Sequence, residues 1–333
     1  MTDGSQHRGR WFLQADDFGL SATINHGILQ SFRHGLLTGA SLLANAPAAE
    51  EAAAAWHLLE RERREELPSR GVRQRLDDPN RPFDLGVHLN LTQGRPLTDD
   101  YPAALRRRDG TFAGVWQLFA TLSRRRQQFL PAIEREFDAQ LARLSAWDLS
   151  PTHLDGHQYA ELMPGVGSIV AAIAARRGIH AVRVARERGL GRTTLPQGRL
   201  PAFCLSLVKR RYAARFADEM RRLGMNGSDL FFGTAHAGRV TIDVWRRFLD
   251  VAGSQENVEV GLHPGGVPSS SQVAGEWIDP LELLRPIEAK TLQSAELVEL
   301  LVSRGVRLGR IFDLTGRSTA EEVAACGSAR GPA

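Results

Sequence analysis

Short β-like segments alternate with longer helical segments along most of this 333-residue chain. The first apolar run begins at Trp11, and Ser21 is placed to cap the helix that follows it. Because strands joined by helical crossovers pair in parallel, the alternation predicts an α/β fold, either an open sheet or a (β/α) barrel. The predicted strands are 11–15, 38–44, 84–89, 151–154, 179–184, 230–235 and 258–262, with 306–308 as a candidate eighth.

The length of the chain favours one domain. A (β/α) barrel commonly runs to roughly 250 residues, so we expect a single barrel over residues 9–315 rather than two small domains. The charged segment near 60–82 interrupts the alternation and is predicted to be a surface insertion. The small, polar tail at 316–333 is expected to be poorly ordered.

Composition excludes several classes of protein. No apolar stretch approaches the roughly 20 residues that span a bilayer, and the first eight residues are too polar for a secretory signal. We therefore expect a cytoplasmic protein without a transmembrane segment. Cys204 and Cys326 are the only cysteines and lie far apart, which argues against a disulfide framework and against a thiolate zinc site.

Arginine is concentrated at 61–75, 106–108 and 124–126, although the net charge is only +4. These clusters are not interleaved with aromatic residues and belong to no recognisable nucleic-acid module, so a nucleic-acid partner is not expected. Solvated loops and helix faces are the ordinary explanation. Peripheral contact with an anionic membrane surface or an acidic partner is the alternative, and a homo-oligomer stays open.

Two adjacent carboxylates, Asp16 and Asp17, end the first apolar run. Buried carboxylates that close are costly unless a cation shares them, and a divalent metal ion is the usual solution. The chain offers further ligands in His88, His153 and His157, which come at or after later strand-like runs. Six residues fall at or just beyond the predicted carboxyl ends of different strands: Asp16, Asp17, His88, His153, Asp155 and His263. Active sites of parallel barrels lie at that edge, so the sequence predicts one catalytic metal site.

The residue types fit hydrolytic chemistry. One carboxylate and two imidazoles leave open positions on a divalent ion, which lowers the pKa of bound water, to about 7 on zinc, and polarises a carbonyl. A second carboxylate beside the ion can act as a general base. Adjacent strand residues point to opposite sides, so Asp16 and Asp17 suit two different roles. His263, which follows an apolar strand, is the best candidate for the acid that protonates a leaving group.

Four segments of the chain closely resemble those of the YdjC-like carbohydrate deacetylases, the group that includes ChbG and HpnK. The segments are Ala15 to Ser21 (ADDFGLS), Gly86 to Thr92 (GVHLNLT), Thr152 to His157 (THLDGH) and Gly261 to Gly265 (GLHPG). The resemblance implies a distorted TIM-like (β/α) barrel, magnesium or zinc as the cofactor, and removal of acetyl from an N-acetylated sugar.

The same resemblance implies roles for individual residues. It makes Asp17, His88 and His153 the metal ligands and Asp16 the general base. His263 resembles the family's histidine acid, and Arg183 resembles an arginine that orients the base.

The substrate-facing residues depart from the family pattern. Many relatives continue the third segment with further histidines, where this chain has Tyr159 and Glu161. Both are candidate substrate contacts. His157 could contact substrate or ligate the metal directly, and Asn45 could contact substrate or cap a helix.

Two other functions stay open. A lipid-linked N-acetylglucosaminyl compound, such as a hopanoid glycolipid, is the alternative substrate. A sugar-binding barrel that keeps its metal without catalysis is the other alternative, and the intact Asp16 and His263 argue against it.

Overall fold

The computed structural model describes residues 9–66, 83–194, 200–268 and 276–316. Within these ranges the chain forms a seven-stranded parallel sheet in the order β5-β4-β3-β2-β1-β7-β6, which confirms the α/β prediction. The strands are β1 Trp11–Phe18, β2 Gly39–Leu42, β3 Asp84–Leu89, β4 His153–Gly156, β5 Ala181–Val182, β6 Leu230–Phe232 and β7 Val258–Leu262.

Helices cover the outside of the sheet. They are α1 Ala22–Arg33, α2 Ala49–Glu66, α3 Val115–Ala146, α4 Val166–Arg176, α5 Leu190–Thr194, α6 Leu200–Arg222, α7 Ile242–Val251, α8 Arg285–Leu292 and α9 Ala295–Ser303. The Ser21 side chain caps α1 by accepting a hydrogen bond from the backbone of Ile24, as the sequence predicted. None of the helices in the described ranges is both long and apolar enough to cross a membrane.

The sheet curls into a distorted barrel. Its two edge strands are linked through the segments that flank them. The backbone N–H of Val182 in β5 donates to the carbonyl of Asn226, which precedes β6, and that of Phe231 in β6 donates to the carbonyl of Arg186, which follows β5. The predicted eighth strand contributes only a single parallel bridge, between Leu308 and Trp11. The curl brings the carboxyl ends of all seven strands to one face.

Two elements differ from the prediction. The apolar pattern of the sequence predicts two helices, at about 114–122 and 130–144. The structure has one helix there, α3, with non-helical backbone at Arg125 and with Pro131 inside it. Proline removes a helical hydrogen bond, and here α3 kinks and continues. In addition, residues 60–66 of the predicted insertion continue α2. Residues 67–82 and the tail from 317 onward lie outside the described residues.

Apolar side chains fill both sides of the sheet. Every residue of β1 is buried, as expected for a parallel strand with helices on one face and a filled barrel interior on the other. Phe32 joins α1 to the core, with its ring centroid 5.4 Å from that of Trp56 and 4.5 Å from that of Phe83. This packing fixes the strand ends that carry the polar residues described next.

Candidate metal centre and catalytic site

A β-bulge at the end of β1 positions the two carboxylates. The register of β1 against β2 shifts between Ala15 and Phe18, and Asp17 has a left-handed backbone with a φ of 65°. Aspartate is one of the few residues with a side chain that tolerate this conformation, and bulges often re-aim side chains beside active sites. Asp16 and Asp17 therefore both reach the carboxyl face of the barrel and contact different partners there.

Asp17 lies against two buried histidines. Its Oδ1 atom is 3.0 Å from His157 Nδ1 and 3.6 Å from His88 Nε2. One ligand atom from each of the three residues lies within 4.8 Å of the others, a spacing that suits a shared metal ion. The Nε2 atom of His157 is buried without a hydrogen-bond partner among the described residues, so the cluster has unused ligand capacity.

The surroundings of His88 also fit a metal ligand. Its Nδ1 atom is 2.9 Å from Asp155 Oδ1, which orients the ring so that Nε2 faces Asp17. Metal-binding histidines usually have such a carboxylate behind them. Burial alone would lower the pKa of His88, but the neighbouring charge of Asp155 and a hydrogen bond to it raise this pKa to about 9.

A second group, Asp16, His88 and Asp155, also has ligand atoms within 4.8 Å of one another. It is a poorer metal site because the guanidinium of Arg183 contacts both of its carboxylates, at 2.8 and 2.9 Å. This fixed cation already neutralises both carboxylates of the group, whereas Asp17 keeps one oxygen, Oδ1, that faces only the two histidines. The cluster of Asp17, His88 and His157 is therefore the better candidate for a divalent ion.

The structure does not bring His153 into either cluster. The sequence placed the fourth strand at 151–154, but β4 begins at His153 and ends at Gly156, which moves His153 to its amino end. The His153 ring fills the space beside Gly86, where an added Cβ would lie 2.3 Å from Nε2. His157 instead follows the strand end, in the place that the sequence analysis assigned to His153.

Arg183 holds Asp16 in a bidentate pair. Its Nη1 and Nη2 atoms donate to Oδ2 and Oδ1 of Asp16, both at 2.8 Å. The same buried guanidinium contacts Asp155 and Glu259. Burial opposes the charged form of Arg183, yet the charges of the three carboxylates raise its pKa well above the ordinary value. Bidentate pairing of this kind fixes the orientation of a carboxylate.

His263 faces the same carboxylate from the end of β7. Its Nε2 atom is 3.8 Å from Asp16 Oδ2, beyond hydrogen-bonding distance. The backbone N–H of His263 donates to Glu288 Oε2 of α8, at 2.5 Å, and this bond anchors the loop that carries the ring. The site thus has a carboxylate and an imidazole on opposite sides of a narrow gap, beside the candidate metal ligands.

Arg285 is a part of the site that the sequence analysis missed. Its Nη2 atom donates to Asp17 Oδ2 at 2.6 Å, and its Nε atom donates to Asp279 Oδ2 at 2.6 Å. Burial would raise the pKa of Asp17, but the charge of Arg285 and the hydrogen bond from His157 hold it well below its usual range. Arg285 occupies one oxygen of Asp17 and leaves Oδ1 facing the two histidines.

Comparison with known proteins identifies the family of the chain. The family model described as YdjC-like protein matches residues 10–303. The chain belongs to the YdjC-like family. The predicted membership is confirmed.

Relatives of this YdjC-like chain include a carbohydrate deacetylase of Mus musculus, 30% identical over 95% of the chain and 98% of the relative. A carbohydrate deacetylase of Geobacillus stearothermophilus is 29% identical over 89% and 94%. A chitooligosaccharide deacetylase of Salmonella paratyphi B is 28% identical over 91% and 98%.

A solved structure from Enterococcus faecalis V583 has the same fold. It is described as a candidate cellobiose-phosphate cleavage protein and aligns with a TM-score of 0.66 over 92% of this chain and 99% of its own. The sequence identity is 18%, so this likeness concerns the fold alone.

Tyr159 and Glu161 lie in the turn that follows β4. Gln158 and Tyr159 both have left-handed backbone, with φ of 52° and 62°, and the Tyr159 hydroxyl donates to Thr234 Oγ1 at 2.7 Å. Glu161 is buried against Gly156, and burial raises its pKa to about 8. Tyr159 and Glu161 therefore border the YdjC-like site beside His157.

Asn45 organises a neighbouring loop. Its side-chain amide donates to the carbonyl of Arg95 at 2.9 Å, and its Oδ1 accepts from Asn90 Nδ2 at 3.0 Å. These bonds tie the loop after β2 to the loop after β3, both at the carboxyl face. Trp277 packs beside the candidate metal ligands, with its ring centroid 6.2 Å from that of His157.

The residues missed by the sequence analysis share one property. Arg285, Asp279, Glu288, Glu259 and Trp277 lie outside the four motifs and contact the site only through the fold. A buried carboxylate such as Glu259, in the middle of an otherwise apolar strand, is the one local signal that could have indicated a polar partner inside the barrel.

Proposed function

We propose that this YdjC-like chain is a metal-dependent carbohydrate N-deacetylase, which hydrolyses the acetamide of an N-acetylated sugar to acetate and a free amine. One observation carries the proposal. A three-residue cluster that could hold a metal ion lies next to a carboxylate and an imidazole whose nearest atoms are 3.8 Å apart. The deacetylase names of relatives that align over most of the chain support the same reaction.

We assign the metal to Asp17, His88 and His157, with Mg²⁺ or Zn²⁺ as the ion. The assignment replaces His153 with His157, because His157 is the residue whose Nδ1 lies 3.0 Å from Asp17. One carboxylate and two imidazoles suit zinc, and they leave positions for water and substrate. An ion bound there would make a water molecule more acidic and polarise the acetamide carbonyl.

Asp16 is the proposed general base. Arg183 engages both of its oxygens, but each carboxylate oxygen keeps a lone pair that can accept a proton from the attacking water. Arg183 thereby acts as a positioning residue for Asp16. A sugar-binding protein without catalysis would need neither this fixed carboxylate nor its facing histidine, so the pair favours an enzyme.

His263 is the proposed general acid. An amine leaves an amide only when its nitrogen is protonated, and His263 lies across the gap from the base, where it can donate that proton. We propose that Tyr159, Glu161 and Asn45 contribute to the part of the pocket that selects the sugar. Lipid-linked N-acetylated sugars remain a substrate class to test beside soluble ones.

Acetate release tests the proposal. Protein stripped of metal and then loaded with Mg²⁺ or Zn²⁺ is incubated with N-acetylated monosaccharides, oligosaccharides and glycolipids, and acetate is quantified by mass spectrometry. We expect metal-dependent release from at least one substrate, and an Asp16→Asn variant that keeps its metal but loses about 10² or more in turnover.

Two results would contradict the assignment. If the metal-loaded protein releases no acetate from any acetamide sugar, the proposed reaction is wrong. If Asp16→Asn loses its metal, Asp16 is a ligand and the roles of the two aspartates are reversed.

A further inference from the structure

The proposed reaction leaves one sequence feature unexplained, the arginine-rich segments. Two long stretches, 110–133 and 188–217, contain no aspartate or glutamate. Together they hold ten lysines and arginines, so they carry a charge of +10 in a chain whose net charge is +4. The remainder of the protein is therefore net acidic, and the positive charge is strongly concentrated.

The fold brings the two stretches together. The first includes the amino-terminal half of α3 and the second includes most of α6. Phe119 of α3 and Tyr212 of α6 make an edge-to-face contact, with ring centroids 5.8 Å apart. Both helices are crossovers that run back from the carboxyl face of the sheet, so their amino-terminal parts lie toward the site.

Exposed apolar side chains lie one helical turn before this contact on each helix. Trp116 precedes Phe119 by three residues and is 78% exposed. Val208 precedes Tyr212 by four residues and is 59% exposed, and the adjacent Leu207 is 44% exposed. Exposed tryptophan and aliphatic side chains on two helices that meet are unusual on a soluble surface and indicate contact with an apolar partner.

Arginines border these apolar residues. Arg210 and Arg211 lie two and three residues after Val208, and both are exposed. On the α3 side, Arg107 lies at the helix start, where its Nη2 atom would be 3.1 Å from a Cβ added to Gly114. We call Trp116, Leu207, Val208, Arg210 and Arg211 the α3–α6 surface.

The α3–α6 surface adjoins the catalytic site. Lys209, next to Val208 on α6, places its Nζ 3.9 Å from the centroid of the Tyr159 ring. Tyr159 follows His157 by two residues at the end of β4, so the surface begins where the candidate substrate pocket ends. A partner on this surface would sit beside the mouth of the site.

We propose that the α3–α6 surface docks on an anionic lipid bilayer. Tryptophan and aliphatic side chains enter the boundary between headgroups and acyl chains, while flanking arginines pair with anionic headgroups. A nucleic acid would match the charge but not the exposed aliphatic residues. The proposal stands independently of the deacetylation, since it concerns binding and not turnover.

Vesicle co-sedimentation tests the proposal. The full chain is mixed with vesicles of phosphatidylcholine alone, or of equal parts phosphatidylcholine and phosphatidylglycerol, at low and at high salt. We expect binding to the anionic vesicles at low salt, weaker binding at high salt, and little binding to the neutral vesicles.

Variants with matched controls locate the binding surface. Arg210→Gln with Arg211→Gln should lower the partition coefficient about 25-fold, at about fivefold for each arginine near the surface. The same change at Arg221 and Arg222, exposed at the other end of α6, should leave it within about twofold.

The apolar part has its own pair of variants. Trp116→Ala should lower the partition coefficient about tenfold. Leu223→Ala should have little effect, because Leu223 is 51% exposed but lies at the far end of α6. Circular dichroism checks that every variant is folded.

Three outcomes would overturn the proposal. The first is no binding of the native chain to anionic vesicles at low salt. The second is an equal loss in the test and control variants, which would mean that binding reflects general positive charge. The third is binding to heparin or DNA without binding to vesicles, which would assign the surface to a soluble polyanion.

Discussion

Replacement of His157 by alanine should weaken metal binding far more than replacement of His153 by alanine. His157 Nδ1 lies 3.0 Å from Asp17 Oδ1 and belongs to the buried cluster with His88. His153 instead packs against Gly86, with its Nδ1 3.1 Å from Thr152 Oγ1. The two variants remove the same type of side chain from positions four residues apart, so they form a matched pair.

The expected magnitudes follow from the number of ligands. Zinc sites with four protein ligands bind with roughly 10–16 kcal/mol, which is about 3 kcal/mol for each ligand. Loss of one of three ligands in His157→Ala should therefore weaken binding about 10²-fold or more. His153→Ala should change the affinity by no more than about threefold, because only packing inside the barrel is altered.

The assay is a competition titration with a chromophoric chelator. Each metal-free variant is titrated with Zn²⁺ at fixed pH, and its folded state is checked by circular dichroism. His88→Ala serves as a positive control, because both this variant and His157→Ala remove a proposed ligand. An affinity of His157→Ala equal to that of the native chain, or a loss in His153→Ala as large as in His88→Ala, would refute the assignment.

Three further predictions concern the residues around the metal cluster. Asp155→Asn should lower metal affinity by about 10- to 100-fold, because the carboxylate of Asp155 orients His88. An unchanged affinity in the same titration would contradict this role. His263→Gln should reduce turnover of an acetamide sugar more than that of an activated acetate ester, since only the amine needs a proton to leave, and equal losses would make His263 structural. The third prediction concerns stability. Burial raises the pKa of Glu187 from 4.5 to about 7. The protonated side chain therefore contributes fully to the stability of the fold below about pH 4.5. This contribution, roughly 3 kcal/mol, is lost as the pH rises through 7. Glu187→Gln keeps an oxygen that can accept from the backbone of Gly233 and Thr234, and it should flatten the fall in unfolding free energy between about pH 5 and pH 8, as measured by urea denaturation. A pH dependence identical to that of the native chain would show that Glu187 is already ionised in the folded state.

The strands were predictable where hydrophobic patterning and turn residues agree. β3 and β7 have the bounds that the sequence predicts, Asp84–Leu89 and Val258–Leu262. β1 was cut short at Ala15 because two carboxylates look like the end of a buried strand, yet the strand continues through them to Phe18. The left-handed backbone of Asp17 lets the strand continue through the bulge. No local sequence pattern predicts this backbone conformation.

The start of β4 differs from the prediction by two residues, which changes the position of His153 in the strand. Pro151 and the following residues look like a strand start, but proline has no N–H for the sheet, and β4 begins at His153. The difference places His153 at the amino end of β4 and His157 just after its carboxyl end, beside Asp17. Propensity locates a strand to within a few residues, whereas the position of a ligand needs the exact pairing of β4 with β3.

Partners that come from distant segments could not be predicted at all. Arg285 reaches Asp17 across 268 residues of sequence, and its approach depends on α8 packing beside α1. A single sequence contains nothing that distinguishes this arginine from the 41 other basic residues of the chain. The motif residues are recognisable because their spacing is local, while their partners are set only by the complete fold.

Asp155 links the proposed metal ligands to the proposed general base, so that a change in one should affect the other. Its Oδ1 contacts His88 Nδ1 at 2.9 Å, and its Oδ2 contacts Arg183 Nη1 at 2.9 Å. Because the same Arg183 nitrogen also donates to Asp16, a chain of contacts joins a proposed ligand to the proposed base. In a double-mutant cycle, substitutions at His88 and Asp16 should therefore be non-additive, and neither residue has a contribution to catalysis that can be quoted without the state of the other.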